Sequence, residues 1–146
     1  GTAASAPAVV HTFGDGVTCQ ALGACKLVST TSSDEGTTWH LASHNGQNAA
    51  HIEIMVSPDS SRISVVDISR NPSARIAALV LEDLQVPNDD HIALDWYVRE
   101  HIGTTTALED ATPLCAAGVC VAAGSKAGEP AARLRFDPKI VPDALR

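Results

Sequence analysis

The chain contains two short segments that are bracketed by cysteines, Cys19-Gln-Ala-Leu-Gly-Ala-Cys25 and Cys115-Ala-Ala-Gly-Val-Cys120. They hold all four cysteines of the 146 residues, and each includes a glycine that permits a tight turn. Small exported domains use closely spaced cysteines of this kind to close local hairpins with disulfides. The sequence therefore predicts a disulfide-stapled structure in an oxidising compartment, either periplasmic or secreted.

Four cysteines allow three disulfide connectivities. We expect the local pairs, Cys19 with Cys25 and Cys115 with Cys120, because a short loop closes far more often than one that spans most of the chain. Long-range pairing would stabilise the fold more, by about 4 to 5 kcal/mol per disulfide against about 2 to 2.5 kcal/mol for a short ring. Structural zinc is the other alternative, but zinc ribbons usually place two residues between paired cysteines, whereas five and four separate them here.

The chain is acidic, with 17 aspartates and glutamates against 10 lysines and arginines and a formal net charge of −7 at pH 7. Nucleic-acid binding depends on a cluster of basic residues that displaces counterions from phosphate, and the densest pair here is Arg133 and Arg135. No apolar run approaches the roughly 18 to 20 residues that a membrane-spanning helix needs. The sequence therefore argues against a nucleic-acid partner and predicts no membrane span.

The length of 146 residues suits one domain with a single sizeable core. We expect a disordered mature N-terminus over 1–7, because its small, uncharged residues resemble what signal-peptide cleavage leaves behind, followed by one β-rich domain over 8–146. Apolar residues make up 45% of the chain but aromatic residues only 3%, so the core must consist mainly of small and branched aliphatic side chains.

Alternation of apolar and polar residues is the main local signal, and it is typical of half-buried strands. The Asn45-Gly46 pair favours a type I′ hairpin turn between two of them. Strands and turns at roughly ten-residue spacing predict an all-β fold, a single-domain β-sandwich or barrel-like antiparallel fold with at most one short helix. The predicted β-segments are Ala8–Phe13, Cys25–Thr31, Thr37–Ser43, Ala50–Val56, Arg62–Ile68, His91–Val98, the hairpin Cys115–Ala123, and Leu134–Phe136.

The segment 73–85 carries conflicting signals. Its apolar residues form a helical stripe, and Ser73 is placed to cap the N-terminus of such a helix. Glu82 and Asp83 would then lie at the C-terminus, where the helix dipole disfavours negative charge. We therefore expect a strand in the second half of the segment. The stripe consists of Ile76, Leu79, Val80 and Leu84.

Several short motifs follow one another along the chain, namely Phe13-Gly14-Asp15-Gly16 with Cys19, then Cys25-Lys26-Leu27-Val28, then Leu84-Gln85-Val86-Pro87 before Ile92-Ala93-Leu94-Asp95, and finally Cys115-Ala116-Ala117-Gly118-Val119-Cys120-Val121-Ala122. Their order resembles the invasion-associated locus B family of exported bacterial proteins, and the resemblance spans most of 13–123. Gly16 stands where the family usually has tryptophan. The resemblance implies a β-sandwich-like exported protein that is linked to host-cell association and has no established enzymatic chemistry.

Six histidines raise the question of a metal or acid–base site. His40 and His44 are four residues apart, which separates them by about 13 Å on a strand. His51 and Glu53 share a strand face about 7 Å apart, a spacing that suits a surface metal, an acid–base pair or an ordinary polar edge. The segment Asn88–His91 offers oxygens for a hard cation but lacks the glycine that such loops use for their sharp turn. The sequence predicts no catalytic residue, no cofactor and no resident metal.

We expect a non-enzymatic binding protein whose loops contact a protein of the host or of the bacterial envelope. The candidate contact residues are Trp39 and Tyr97, if exposed, and the Asn88–His91 turn. A small periplasmic hydrolase inhibitor is the first alternative, in which the disulfide-closed loop Cys115–Cys120 enters the cleft of its target. The second is a metalloenzyme that uses His40, His44, His51 and Glu53. The sequence leaves the oligomeric state open.

Overall fold

The computed structural model describes residues 6–43, 50–70, 74–86, 88–116 and 118–136, which form a seven-stranded antiparallel sheet with helices packed on one face. The strands are β1 (Cys25–Ser33), β2 (Gly36–Ser43), β3 (His51–Val56), β4 (Ile63–Ser69), β5 (Leu114–Ala116), β6 (Val119–Lys126) and β7 (Glu129–Phe136). The helices are α1 (Ala8–Gly14), α2 (Val17–Ala21), α3 (Ala74–Asp83) and α4 (Asn88–His101), and a 3₁₀ turn covers Leu108–Asp110.

The sheet consists of two meanders that lie side by side. Its strand order is β1-β2-β3-β4-β7-β6-β5, so neighbours in space are neighbours in sequence everywhere except at the junction of β4 with β7. The helices α3 and α4 form the connection between the two meanders. α4 packs against α3, β5 and β6, and the helical layer lies over the apolar face of the sheet.

The apolar face is built from side chains that pair in register across the strands. Because alternate residues of a strand point to opposite faces, each strand contributes every second side chain to this face. The helices add their own buried residues to the same cluster, among them Phe13, Val80 and Leu94. One row across five of the seven described strands consists of Trp39, Ile54, Val66, Leu134 and Val121, all of them buried.

The predicted β-rich antiparallel architecture is confirmed, and so is its closure by local disulfides. Cys19 is bonded to Cys25, which links α2 to the first residue of β1, and Cys115 is bonded to Cys120 across the β5–β6 hairpin. The strands that alternation predicted in 25–31, 37–43, 50–56, 62–68 and 134–136 correspond to β1, β2, β3, β4 and β7. The predicted Asn45-Gly46 turn lies outside the described residues.

The limit of one short helix is wrong, because the described residues contain four α-helices. His91–Val98, predicted as a strand, belongs to α4: Leu94 and Val98 are buried one helical turn apart, whereas Ile92 and Trp96 are 73% and 63% exposed. Ala8–Phe13 is likewise helical, in α1. None of the helices that the structure describes has the length and hydrophobicity needed to cross a membrane.

The segment 74–83 is also helical throughout, which corrects the strand expected in its second half. The charge that argued against a helix has a partner in another element: the carboxylate of Asp83 accepts hydrogen bonds from the backbone N–H groups of Val17 at 2.8 Å and Thr18 at 3.0 Å. It thereby satisfies the first turn of α2. Gly16 permits this approach, since a Cβ at that position would lie 2.2 Å from Asp83 Oδ1. The predicted cap, Ser73, lies outside the described residues.

Removal of the Cys19–Cys25 disulfide is expected to destabilise the fold more than removal of the Cys115–Cys120 disulfide. The two rings are of similar size, so loop entropy contributes about 2 kcal/mol to each. Cys19 is fully buried in the core, whereas Cys115 is exposed on β5. Equilibrium urea unfolding of the two double alanine variants should differ by about 1 kcal/mol or more, because only one leaves a cavity in the core. Equal losses would contradict this assignment.

Candidate functional site

The polar face of the sheet carries a row of ionisable side chains on neighbouring strands. His40 on β2, Glu53 on β3, Asp67 on β4 and Arg133 on β7 are paired in register. Their sequence neighbours point into the core, which places these four side chains on the face away from the helices. Lys126 of β6 reaches the same row through Glu53 and Asp67. These five side chains are called the ionic row.

Asp67 is the centre of the ionic row and its most buried member, with 8% of its side chain exposed. Arg133 forms a bidentate contact with Asp67: Nε donates to Oδ1 at 2.7 Å and Nη2 donates to Oδ2 at 2.9 Å. Lys126 donates from Nζ to Asp67 Oδ2 at 2.9 Å and also to Glu53. Charge-assisted bidentate contacts are among the strongest hydrogen bonds in proteins. Two cations and two carboxylates therefore neutralise one another on this face.

Burial and hydrogen bonding act in opposite directions on the ionisation of these groups. Burial disfavours the charged carboxylate of Asp67, but the hydrogen bonds from Arg133 and Lys126 outweigh it and hold the pKa of Asp67 below its ordinary value. Burial also disfavours the ammonium of Lys126, yet hydrogen bonds to Glu53 and Asp67 raise the pKa of Lys126. Asp67 and Lys126 are therefore charged at neutral pH.

The ionic row continues to the edge of the sheet through His40. Nδ1 of His40 lies 3.3 Å from Oε1 of Glu53, and its Nε2 lies 3.1 Å from the Thr31 hydroxyl on β1. Because a carboxylate only accepts hydrogen bonds, it favours the proton on Nδ1, which leaves Nε2 to accept from Thr31. Contacts between side chains thus connect six of the seven described strands, from Thr31 on β1 to Lys126 on β6.

Thr31, His40 and Glu53 stand in the hydroxyl–imidazole–carboxylate order of a catalytic relay. Thr31 is exposed on an edge strand, so its hydroxyl is in contact with bulk water. Glu53 is shared with Lys126, whose charge offsets the carboxylate that would stabilise an imidazolium. We therefore interpret the three residues as a hydrogen-bonded connection between strands.

A pocket of about 220 Å³ opens beside the ionic row. Met55 and Val65 lie at its centre, paired in register between Thr38 on one side and Arg135 on the other. Arg135 is exposed and takes part in none of the ion pairs among the described residues, and the same holds for Glu35 at the β2 end. Within the described part of the chain, the pocket thus combines an apolar centre with a cation and a carboxylate that form no ion pair.

The contact residues expected from the sequence lie elsewhere. Trp39 is 6% exposed and belongs to the core, which corrects its candidacy as a contact residue. Tyr97 is half-buried, donates a hydrogen bond to the carbonyl of Thr112 and stacks on His101 at 4.1 Å between ring centroids. Asn88–His91 is the first turn of α4 rather than a connecting turn, and His91 Nε2 donates to the carbonyl oxygen of Ala78 at 3.0 Å.

The histidines considered for a metalloenzyme are brought together only in part. His40, His51 and Glu53 share the polar face, and the rings of the two histidines are 6.5 Å apart. Within the part of the chain that the structure describes, no group of three or more His, Cys, Asp or Glu side chains has the arrangement of a metal site. His44 lies outside the described residues.

Asp67, Lys126, Arg133 and Arg135 are the residues of this face that the sequence reasoning missed. Two features of the sequence could have indicated them. One is a charged residue inside an otherwise apolar run, Val65-Val66-Asp67-Ile68, and the other is the pair of arginines, opposite in charge to Asp67, on either side of Leu134. A buried carboxylate in such a run requires a cationic partner. That requirement predicts that Asp67 contacts a cation, but it does not identify the strand on which the cation lies.

No protein-family model matches the chain, and neither a curated protein nor a solved structure matches it. The resemblance to the invasion-associated locus B family therefore stays a prediction that rests on the sequence motifs.

Replacement of Asp67 by asparagine is expected to lower the free energy of unfolding by about 3 kcal/mol, because Arg133 and Lys126 lose their shared counter-charge. Asp110→Asn is the matched control: Asp110 is exposed on the 3₁₀ turn, so its replacement should change stability by less than about 0.5 kcal/mol. Urea unfolding followed by tryptophan fluorescence measures both. An Asp67→Asn variant as stable as the unmodified chain would contradict the central place of Asp67.

The lowered pKa of Asp67 also predicts acid sensitivity. A carboxyl whose pKa is lower in the folded chain stabilises the fold above its unfolded pKa, near 3.8, and this contribution is lost as the pH falls through the folded pKa. Stability should decline below about pH 4, with a smaller decline in Asp67→Asn. Asp59, whose pKa is lowered to about 2 by hydrogen bonds from Ser61 and Ser57, contributes separately. Unfolding curves from acid to neutral pH test this, and identical pH profiles for both proteins would refute it.

Proposed function

We propose that the chain is an exported, non-enzymatic binding protein of the bacterial envelope, as its resemblance to the invasion-associated locus B family implies, and that it contacts a partner protein with the polar face of its sheet. The observation that carries the proposal is the pocket beside the ionic row. There the guanidinium of Arg135, which forms no ion pair among the described residues, stands next to the half-buried Met55 and the buried Val65.

The size and lining of the pocket favour a protein as the occupant. Its volume of about 220 Å³ lies below the roughly 300 to 1,000 Å³ of typical small-molecule sites. It suits one or two side chains of a larger partner. Arginine and methionine are enriched at the centres of protein–protein interfaces, and arginine often contributes much of the binding energy. We infer that an acidic side chain of the partner pairs with Arg135 while a neighbouring apolar group covers Met55 and Val65.

The ionic row prepares this face for binding. Its charges already neutralise one another within the chain, so a partner that covers them leaves no new unpaired charge behind. Hydrogen bonds and ion pairs across six strands also hold the side chains in place before contact. A pre-ordered surface loses less entropy on binding than a flexible one.

The disulfides support export. Two local disulfides, Cys19–Cys25 and Cys115–Cys120, use all four cysteines of the chain. Disulfides persist in the periplasm and outside the cell, where the surroundings are oxidising, and are rare in the cytosol. The disulfides are thus compatible with the proposed location in the periplasm or outside the cell, where a partner of the envelope or of a host surface is accessible.

The Arg135→Glu variant is expected to weaken partner binding by about tenfold or more, because the reversed charge repels an acidic side chain. Arg75→Glu serves as the matched control, since Arg75 is exposed on α3. The immobilised chain first captures candidates from envelope and host-cell extracts. Surface plasmon resonance with each purified candidate then compares the two variants with the unmodified chain.

Two results would contradict the proposal. Arg135→Glu and Arg75→Glu could bind every candidate equally well, which would remove the polar face from recognition. Alternatively, the purified chain could hydrolyse ester or peptide substrates, with the activity lost in His40→Ala. That outcome would make the contact of Thr31, His40 and Glu53 a catalytic relay and the protein an enzyme.

A further inference from the structure

The outer side of α4 carries exposed apolar side chains. Among the described residues, three large apolar side chains are exposed, Val28, Ile92 and Trp96, and two of them belong to this helix. Ile92 and Trp96 are 73% and 63% exposed and stand about one helical turn apart. Leu94 and Val98, on the opposite side of α4, are fully buried in the core. Exposed apolar residues that adjoin one another indicate a contact surface, whereas single scattered ones are ordinary.

Acidic side chains flank this apolar pair along the same side of the helix. Asp89 lies three residues before Ile92, and Glu100 lies four residues after Trp96, so each is a neighbour of an apolar residue on the helix surface. Both carboxylates are exposed, and neither takes part in an ion pair among the described residues. The exposed Ala93 completes this surface. Asp89, Ile92, Ala93, Trp96 and Glu100 are called the α4 stripe.

The charge of α4 as a whole is also negative. The helix carries four acidic side chains and one arginine. That arginine, Arg99, donates from Nε to Oδ2 of Asp95 at 3.1 Å, so its charge is already offset within the helix. The chain has a formal net charge of −7 at pH 7. A cationic partner is therefore attracted both by the α4 stripe and by the charge of the whole chain.

These charges decide between the possible occupants of the α4 stripe. A second copy packed antiparallel on it would bring Asp89 of each chain near Glu100 of the other, and a parallel copy would place each carboxylate beside its equivalent. Both arrangements bring like charges together, which disfavours association. An anionic lipid surface is repelled for the same reason. The stripe is complementary to a segment that is both basic and apolar.

We propose that the α4 stripe binds a basic amphipathic helix of another protein. Asp89 and Glu100 are eleven residues apart, which corresponds to about 16 Å along the helix axis. A partner helix that packs along α4 matches them with lysine or arginine residues about eleven positions apart. The apolar residues between those cations cover Ile92 and Trp96. Trp96 stands at the centre of the contact, where tryptophan often contributes much of the binding energy.

The α4 stripe is separate from the surface proposed to contact a partner above. It lies on the helical side of the sheet, whereas the ionic row and its pocket lie on the polar face. Both surfaces are therefore available at the same time, and binding at the stripe does not depend on the function proposed for the polar face. The contact of one helix with another lies at the low end of specific interfaces in area, so the complex is reversible.

Isothermal titration calorimetry with two synthetic helical peptides tests the proposal. One peptide consists of leucine and lysine in an amphipathic pattern, and the other has glutamate in place of every lysine. The leucine–lysine peptide should bind and shift the emission of Trp96 to the blue, and the leucine–glutamate peptide should not bind. Trp96→Ala should weaken binding of the leucine–lysine peptide by about tenfold or more. The matched control Val28→Ala, at the exposed apolar residue of β1, should leave it unchanged.

A charge reversal separates the effect of the carboxylates from that of apolar contact. Asp89→Lys/Glu100→Lys should weaken binding of the leucine–lysine peptide by about tenfold or more and should create binding of the leucine–glutamate peptide. A variant that had merely misfolded would not gain this second affinity. The matched control Asp34→Lys/Asp110→Lys makes the same change in net charge at two exposed positions outside α4 and should retain the preference of the unmodified chain.

The proposal is overturned if neither peptide binds, or if both bind equally well, since the carboxylates would then have no part in recognition. It is also overturned if Trp96 emits like a buried tryptophan in the free chain, because the stripe would already be covered. Sedimentation velocity would then show whether a second copy covers it. A blue shift of Trp96 with vesicles of phosphatidylethanolamine and phosphatidylglycerol, but not with the leucine–lysine peptide, would assign the stripe to a lipid surface instead.

Discussion

The contact of Asp67 with Arg133 across β4 and β7 is the constraint on which the rest of the structure depends. These residues are 66 positions apart, and among the described residues their two strands form the only strand pairing between the two meanders. A slip of β7 by one residue would move its apolar side chains out of the core and Arg133 into it. The bidentate hydrogen bonds from Arg133 form only when the two residues face each other. We therefore interpret the ionic row as the element that specifies the register of β7 against β4, whereas burial of the apolar face stabilises the folded chain.

The strands were predictable because their pattern is local. In β2 and β3 one face is buried and the other is polar, and that alternation is visible without any knowledge of the partner strand. The strand predicted within α4 was wrong because the apolar residues of this helix also alternate with polar ones. The decisive helical signal there was charge: Asp89 and Asp90 lie in its first turn and Arg99 and His101 in its last, the distribution that the helix dipole favours.

The candidate site was less predictable than the fold, since it depends on contacts between distant strands. Lys126 and Arg133 lie outside the predicted hairpin 115–123 and the predicted last strand 134–136, in a stretch of mixed glycine, proline and charge. Only the pairing of β7 with β4 and with β6 reveals that both side chains reach Asp67. Asp83 gives the same lesson for α3, because its charge, unfavourable within its own helix, is satisfied by the backbone of α2. Tertiary partners of this kind reverse conclusions drawn from local preference.

The disulfides connect the stability of the sheet with the accessibility of its edges. Cys25 holds the first residue of β1 against α2, and at the other end of the strand a two-residue turn leads into Gly36. A Cβ at Gly36 would lie 1.9 Å from the carbonyl oxygen of Val56, so glycine allows this turn to sit closely against β3. β1 is therefore fixed at both ends while its middle stays exposed. An edge strand that is ordered in advance loses little conformational entropy when another strand pairs with it. The disulfide between Cys19 and Cys25 thus both stabilises the fold and orders the edge strand of its sheet.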